Sequence, residues 1–489
     1  MRPGLLTRAR NILRIYSRVK DSFGNSQLTN GRMAIETDCF SPAFITKVFS
    51  SSALSQNDVL EDGKNKEFIS QKGQRKGINK SENNNSVLSK EMREYLSSKE
   101  SLSRVSDIMP HSFLKRRKKS GESLYVVDDD VAKQFVDAVK SVWNLEEDHV
   151  VLEGNPGLGL ISNELINGGV KRLLLYESCN TFHPQLQKLQ EQYPGIVEIT
   201  HKDIFSIWKL AFLDKMDHGS RVAEILDQLP ERKWTEEPAV KVVGALPTLS
   251  FVRHLILSII FQTGIMMHGR PELYLALPPY LFIHLTCERD AGYLLYRSTT
   301  VLFQLFFKTE LLAKLPRKAY LPWDAETFPN KNNRFKKVKD IDPEYLYVVK
   351  IVPRRDLYDT VVPVEKLQPL WYFVRHHFLK RRNRVIPDLE RWIPGCGSRL
   401  VLQGMNIFTQ FGDLTPEEVL SLFHEFSSWP EYPHSPFLAS METMFLKMEQ
   451  SAEDVEKDIA ESDIDNLQSS NAEEDAESAT SNCILPERM

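Results

Sequence analysis

The sequence is poor in the residues that staple or anchor a chain. Its five cysteines, Cys39, Cys179, Cys287, Cys396 and Cys483, are far apart and odd in number. That spacing excludes a disulfide framework and the paired patterns of zinc sites, so a reduced compartment and no metal are expected. No long apolar run is present either. The most hydrophobic stretch, 251–267, is broken by Arg253, His254 and Gln262, which leaves it short of a bilayer span; no membrane contact is expected. Acids are missing from the first twenty positions, where Arg2, Arg8, Arg10, Arg14, Arg18 and Lys20 accumulate beside Leu5, Leu6, Ile12, Leu13 and Tyr16.

An Arg-rich, acid-poor, amphipathic start predicts a mitochondrial transit peptide within residues 1–50, the alternative being a plain basic terminus. Residues 51–120 are largely rich in Ser, Asn, Lys, Gln and Glu with isolated apolar positions. Such a mixture buries too little surface to offset chain entropy, and it predicts a disordered basic linker. The end of the chain, 451–489, holds twelve Asp or Glu against Lys457 and Arg488, a net of −10; against −4 for all 489 residues, this leaves +6 for residues 1–450. The tail reads as a solvated acidic end, with a contact to the basic body as the alternative.

Between these flanks, apolar strands alternate with helical spacing. Val131, Phe135, Val139 and Val142 recur at a helical period, and VVLEG, KRLLLYES, IVEITHKDIF, VKVVGALP, ELYLALPPY and YLYVVKIVP read as strands. That alternation predicts an α/β domain over 121–354 with a parallel sheet covered by helices. From 355 to 450 the period is helical, with Leu367, Trp371, Val374 and Phe378 on one stripe and a capping box at Thr415 and Glu418 around Pro416. A smaller helical domain is expected there.

The strand VVLEG runs into Asn155-Pro156-Gly157-Leu158-Gly159, and the next strand ends on Glu177. Glycines permit a tight turn and a close ligand approach, and a carboxylate about 20 residues on can hold a ribose. With LEGNPGLG, LLLYES and HKDIF in this order, followed by GRPELYLAL and VVKIVPRRDLYDTVVPVEKLQPLWYFVRHHFLKRR, the chain resembles the ribosomal RNA adenine dimethyltransferases, in particular their mitochondrial transcription factor B branch. The resemblance spans about 122–426. It implies a class I S-adenosyl-L-methionine-dependent methyltransferase (Rossmann-like) fold. It also implies that Glu153, Gly154, Asn155, Gly157 and Gly159 lie beneath the amino acid part of that cofactor, that Glu177 holds its ribose and Asp203 its adenine amine, and that Leu124, Tyr125 and Val126 cover it. Taken singly, the glycines could serve only a strand-to-helix turn and Asp203 only a helix cap.

The family's Asn-Leu-Pro-Tyr type motif is degenerate in this chain. The adenine amine is a poor nucleophile, so its hydrogens must be accepted by an amide oxygen and a carbonyl while an aromatic ring stacks on the base. The matching positions are Ala245, Leu246, Pro247 and Thr248, which supply neither the amide nor the ring. A preorganised hydrogen bond of this kind is worth about 2.7–4 kcal/mol and a stacking platform about 1–3 kcal/mol. Weak or lost methylation is expected, with no residue assigned to catalysis. Tyr280, in Ala276-Leu277-Pro278-Pro279-Tyr280, reads as the end of the next strand rather than part of the catalytic motif.

Cations gather at 115–119, at 331–339 (Lys331, Arg334, Lys336, Lys337), at Arg354 and Arg355, and at 375–384 (Arg375, Lys380, Arg381, Arg382, Arg384). Phe335, Tyr347, Trp371 and Phe378 lie among them, the last two reading as core. Cationic grooves with aromatic platforms suit single strands. Within the resembled branch this implies a factor that joins the single-subunit mitochondrial RNA polymerase in the matrix nucleoid and holds melted promoter DNA. The alternative is a mitochondrial small-subunit rRNA adenine dimethyltransferase, with that rRNA as partner.

Overall fold

The computed structural model describes residues 90–114, 123–143, 145, 148–291, 295–323 and 342–450. The expected transit peptide, the cation clusters at 115–119 and 331–339, and the acidic tail lie outside the described residues. Four short helices open the described chain: Lys90–Leu96, Glu100–Ser103, Val105–Ile108 and His111–Leu114. They fall within the stretch expected to be a disordered linker, and the expectation is corrected for 90–114. The apolar residues Met92, Leu96, Leu102, Val105, Met109 and Leu114 are all buried in one cluster with the sheet. Sparse apolar positions suffice when a preformed surface receives them.

Nine strands follow among the described residues: β1 Tyr125–Val126, β2 Val150–Gly154, β3 Arg172–Tyr176, β4 Val197–Thr200, β5 Val240–Ala245, β6 Glu272–Leu277, β7 Phe307–Pro316, β8 Tyr320–Leu321 and β9 Tyr345–Pro353. Seven of them form one sheet in the order β4-β3-β2-β5-β6-β9-β7, and β1 pairs with β8 apart from it. The first five are parallel, as alternation of strand and helix requires. By contrast, β9 runs antiparallel to both β6 and β7. The expected parallel sheet is thus extended by antiparallel strands at one edge.

Helices cover both faces. We number α1 Asp129–Lys140, α2 Leu160–Asn167, α3 His183–Gln192, α4 Ile207–Asp217, α5 Ser250–Phe261, α6 Pro279–Thr286 and α7 Ser298–Phe306. Asp128 caps α1 by accepting from the Asp130 N–H, and Lys99 of the leading helices pairs with the same carboxylate at 2.8 Å. Along β2 the side chains alternate, Val150 and Leu152 joining one buried cluster and Val151 the other.

Towards the carboxyl end follow α8 Leu367–Leu379, α9 Val385–Glu390, α10 Cys396–Leu402, α11 Pro416–Ser428 and α12 Pro436–Gln450. At α11 the capping box forms as the sequence predicts, with Thr415 Oγ1 accepting from Glu418 N–H and Glu418 accepting from Thr415 N–H. Leu367, Leu370, Trp371, Phe373, Phe423 and Phe437 share one apolar cluster with Val242, Leu273 and Val349 of the sheet. This helical layer therefore completes the core of the sheet instead of enclosing one of its own. Among the described residues no helix is long and apolar enough to cross a membrane.

Candidate cofactor and nucleic-acid site

Strands β2 and β5 are paired so that Gly154 lies beside Gly244. Both glycines are needed. A Cβ on Gly154 would sit 2.5 Å from the Phe205 ring, and one on Gly244, whose φ is +147°, would sit 2.6 Å from the Gly154 carbonyl oxygen. The backbone of Asn155 then turns through φ +56°, followed by Gly157 at +57° and Gly159 at +72°, and α2 begins at Leu160. Three left-handed residues in five carry the chain from strand to helix over a short loop at the carboxyl end of the sheet.

Two carboxyls are buried against this loop. Glu153 accepts from the Ser162 hydroxyl at 2.6 Å, and burial pushes its pKa up to about 8. At the end of β3, Glu177 accepts from the N–H groups of Gly157 at 3.1 Å and Cys179 at 2.7 Å, and from the Tyr125 hydroxyl at 3.3 Å. Burial raises Glu177 to about 7 despite those three donors. Asp203, after β4, is half-buried, and desolvation shifts its pKa upward. Its oxygens accept from Phe205 N–H at 2.9 Å and the Ser206 hydroxyl at 2.7 Å, the cap that was its alternative reading. Leu124, Tyr125 and Val126 are buried in and beside β1. The structure therefore gathers the loop, Glu177, Tyr125 and Asp203 into one region.

The segment Ala245–Thr248, expected to match the family's catalytic motif, stands at the end of the neighbouring strand. Ala245 is the last residue of β5 and is buried, Leu246 N–H donates to Ala276 O, and Thr248 is half-buried. Tyr280, on α6, donates its hydroxyl to the Pro247 carbonyl at 3.0 Å. Sequence reasoning placed this tyrosine on the next strand's end, apart from the motif. The β5–β6 pairing brings it back.

Comparisons with known proteins now decide the family. The model for ribosomal RNA adenine dimethylase matches residues 114–428. The chain belongs to the ribosomal RNA adenine dimethylase family. A Drosophila melanogaster protein named dimethyladenosine transferase 2, mitochondrial, is 38% identical over 73% of this chain and 87% of its own. The Homo sapiens protein of the same name is 24% identical over 56% of this chain and 68% of its own. A solved dimethyladenosine transferase from Plasmodium falciparum aligns over 62% of this chain and 97% of its own, at 13% identity and a TM-score of 0.39.

S-adenosyl-L-methionine is the cofactor of this rRNA adenine dimethylase scaffold. One feature of the chain itself fits a polar ligand at the loop. The Asn155 side chain is buried, and neither its amide oxygen nor its nitrogen has a hydrogen-bond partner, a state that costs about 1–3 kcal/mol unless a ligand satisfies it. When bound, the cofactor would supply an electrophilic methyl group on sulfur. Asn155 and Glu177 would hold its polar groups, whereas Ala245 itself carries no hydrogen-bond acceptor in its side chain.

The described cations differ in their surroundings. Arg354 pairs with Asp356 at 3.0 Å, Arg355 with Glu237 at 3.3 Å, and half-buried Arg381 donates to the Tyr296 carbonyl. Arg375 lies over the Trp371 ring at 5.4 Å. Lys380, Arg382 and Arg384 are exposed at and beyond the end of α8. Trp371 and Phe378 are core, as expected, and Tyr347 is buried as well. An exposed aromatic ring that sequence reasoning missed is Phe408, 61% exposed, with the Arg384 guanidinium 4.9 Å from its ring centroid. The antiparallel bridge between Arg384 and Gln410 joins these segments, a contact no local pattern reveals.

Proposed function

We propose that this chain is a mitochondrial transcription initiation factor that joins the single-subunit mitochondrial RNA polymerase and holds melted promoter DNA on a methyltransferase scaffold. The observation that carries it is Ala245 at the carboxyl end of β5, where the chemistry of adenine methylation requires an acceptor. A fold kept after its amine-activating group is replaced retains a surface for nucleic acid. Opening a promoter costs about 1.4 kcal/mol per stacked step, and Lys380, Arg382 and Arg384 with Phe408 supply the cations and the exposed ring that trap a single strand. The mitochondrial address rests on the Arg-rich start and on relatives named mitochondrial.

A second reading, an rRNA adenine dimethyltransferase of the mitochondrial small subunit, is favoured by relatives named dimethyladenosine transferase. The cofactor-binding roles of Leu124, Tyr125, Val126, Glu153, Gly154, Asn155, Gly157, Gly159, Glu177 and Asp203 belong equally to both readings. Initiation by the polymerase on duplex and pre-melted promoters, with the chain and with its K380A/R382A/R384A variant, separates them. The transcription reading expects the variant to lose initiation on duplex template, with a shallower dependence on salt than the parent chain, and to keep it on pre-melted template. Equal initiation by both proteins on duplex template contradicts it.

A further inference from the structure

The carboxylate expected to hold a ribose is already largely engaged by the chain. Oε1 of Glu177 accepts from Cys179 N–H and from the Tyr125 hydroxyl, and Oε2 accepts from Gly157 N–H. An ionised carboxyl offers about four lone-pair positions. Three are filled, whereas the two hydroxyls of a ribose need two. The side chain is also fully buried. Over the loop, the Tyr125 ring lies where a side chain at residue 157 would project, since a Cβ there would meet Tyr125 Cδ1 at 2.6 Å. The opening that a glycine makes for a ligand is thus filled by a tyrosine of this chain.

Tyr125 is also held from two sides. Its ring lies 4.9 Å from that of Phe182 and 5.2 Å from that of Phe113. Phe113 comes from the short helix His111–Leu114, and all but the last residue of the leading helical segment precedes the family match. The tyrosine and its clamp thus arise from different parts of the sequence.

We propose that Tyr125 is an internal stand-in for the ribose of a nucleoside cofactor, clamped by Phe113, and that S-adenosyl-L-methionine enters this pocket only by displacing it. Affinity is then lowered by the fraction of molecules in which the tyrosine has moved aside. The proposal rests on the cofactor reading of the pocket and not on the transcription reading. A tyrosine that served only as core would make binding weaker, or leave it unchanged, when trimmed.

Calorimetric titration of S-adenosyl-L-methionine and of S-adenosylhomocysteine into the full chain, Tyr125→Phe and Phe113→Ala tests it, with thermal unfolding of each protein as the control for folding. Tyr125→Phe, which removes the hydroxyl at Glu177, is expected to tighten both ligands about tenfold, and Phe113→Ala is expected to tighten them as well by loosening the clamp. Affinity that is unchanged or weaker in folded Tyr125→Phe overturns the proposal. Failure of all three proteins to bind either ligand at millimolar concentration overturns instead the cofactor reading on which it stands.

Discussion

The hydroxyl of Tyr280 donates to the carbonyl oxygen of Pro247 at 3.0 Å. It thereby engages a backbone acceptor inside the segment Ala245–Thr248, which the resemblance aligns with the family's amine-activating motif. The site is short of an amide at 245 and an aromatic ring at 248, and the proline-side carbonyl is partly satisfied already. Restoring an asparagine alone should accordingly be less effective than restoring it with the carbonyl released. Ala245→Asn/Tyr280→Phe is expected to transfer methyl groups to an rRNA hairpin roughly fivefold to tenfold faster than Ala245→Asn, measured by incorporation of labelled methyl. Equal rates in the two variants would show that the Tyr280 contact has no bearing on the chemistry.

Burial of Glu153 and Glu177 makes folding depend on pH. In the unfolded chain these carboxyls titrate near 4.5, and in the folded protein near 8 and 7. Between those values the native state keeps protons that the unfolded state has released. Their contribution to stability is therefore complete below about pH 4.5 and lost as pH rises through 7 and 8. Glu153→Gln keeps an acceptor for Ser162 and cannot ionise. It is expected to flatten the decline in urea midpoint between pH 5 and 8.5, and a steeper decline than in the parent chain would contradict the assignment.

Gly244 has no room for a methyl group. With φ at +147° and the Gly154 carbonyl oxygen 2.6 Å from the Cβ position, Gly244→Ala is expected to lose about 3 kcal/mol or more of unfolding free energy. Denaturant unfolding at constant m-value measures it. A loss under about 1 kcal/mol would mean that β2 and β5 are less tightly joined than their register indicates.

Much of this arrangement is legible in the sequence because local pattern and tertiary role coincide. VVLEG, the turn at 155–159 and Glu177 each carry their own signal, and the Thr415 capping box is visible residue by residue. Strand β7 was not legible: α7 passes into it from Phe306 to Phe307 with no turn residue between, and Lys308, Glu310 and Lys314 give it a polar face. The helices at 90–114 were missed because their few apolar residues count only against a surface formed elsewhere. Tyr280 and Phe408 were missed for a related reason. Their partners, Pro247 and Arg384, lie 33 and 24 positions away in the chain and meet them only through strand pairing or the bridge at Gln410.

The exposed pair Arg384 and Phe408 allows charge and stacking to be separated. Arg384→Ala is expected to reduce the slope of log affinity against log salt for single-stranded DNA by about 0.7. Phe408→Ala is expected to weaken binding by about 1–3 kcal/mol with the slope unchanged. Fluorescence anisotropy of a labelled oligonucleotide across a salt series checks both, and identical effects of the two substitutions would argue against a stacked base at this surface.

The central claim is that a methylating scaffold persists here after its amine-activating group was replaced and now serves by holding opened nucleic acid. Parallel assay of one preparation for methyl transfer to an rRNA hairpin and for polymerase initiation on duplex promoter tests it most directly. The account predicts robust initiation together with methyl transfer far below an ordinary enzymatic turnover, whereas fast hairpin dimethylation with no effect on initiation would contradict it.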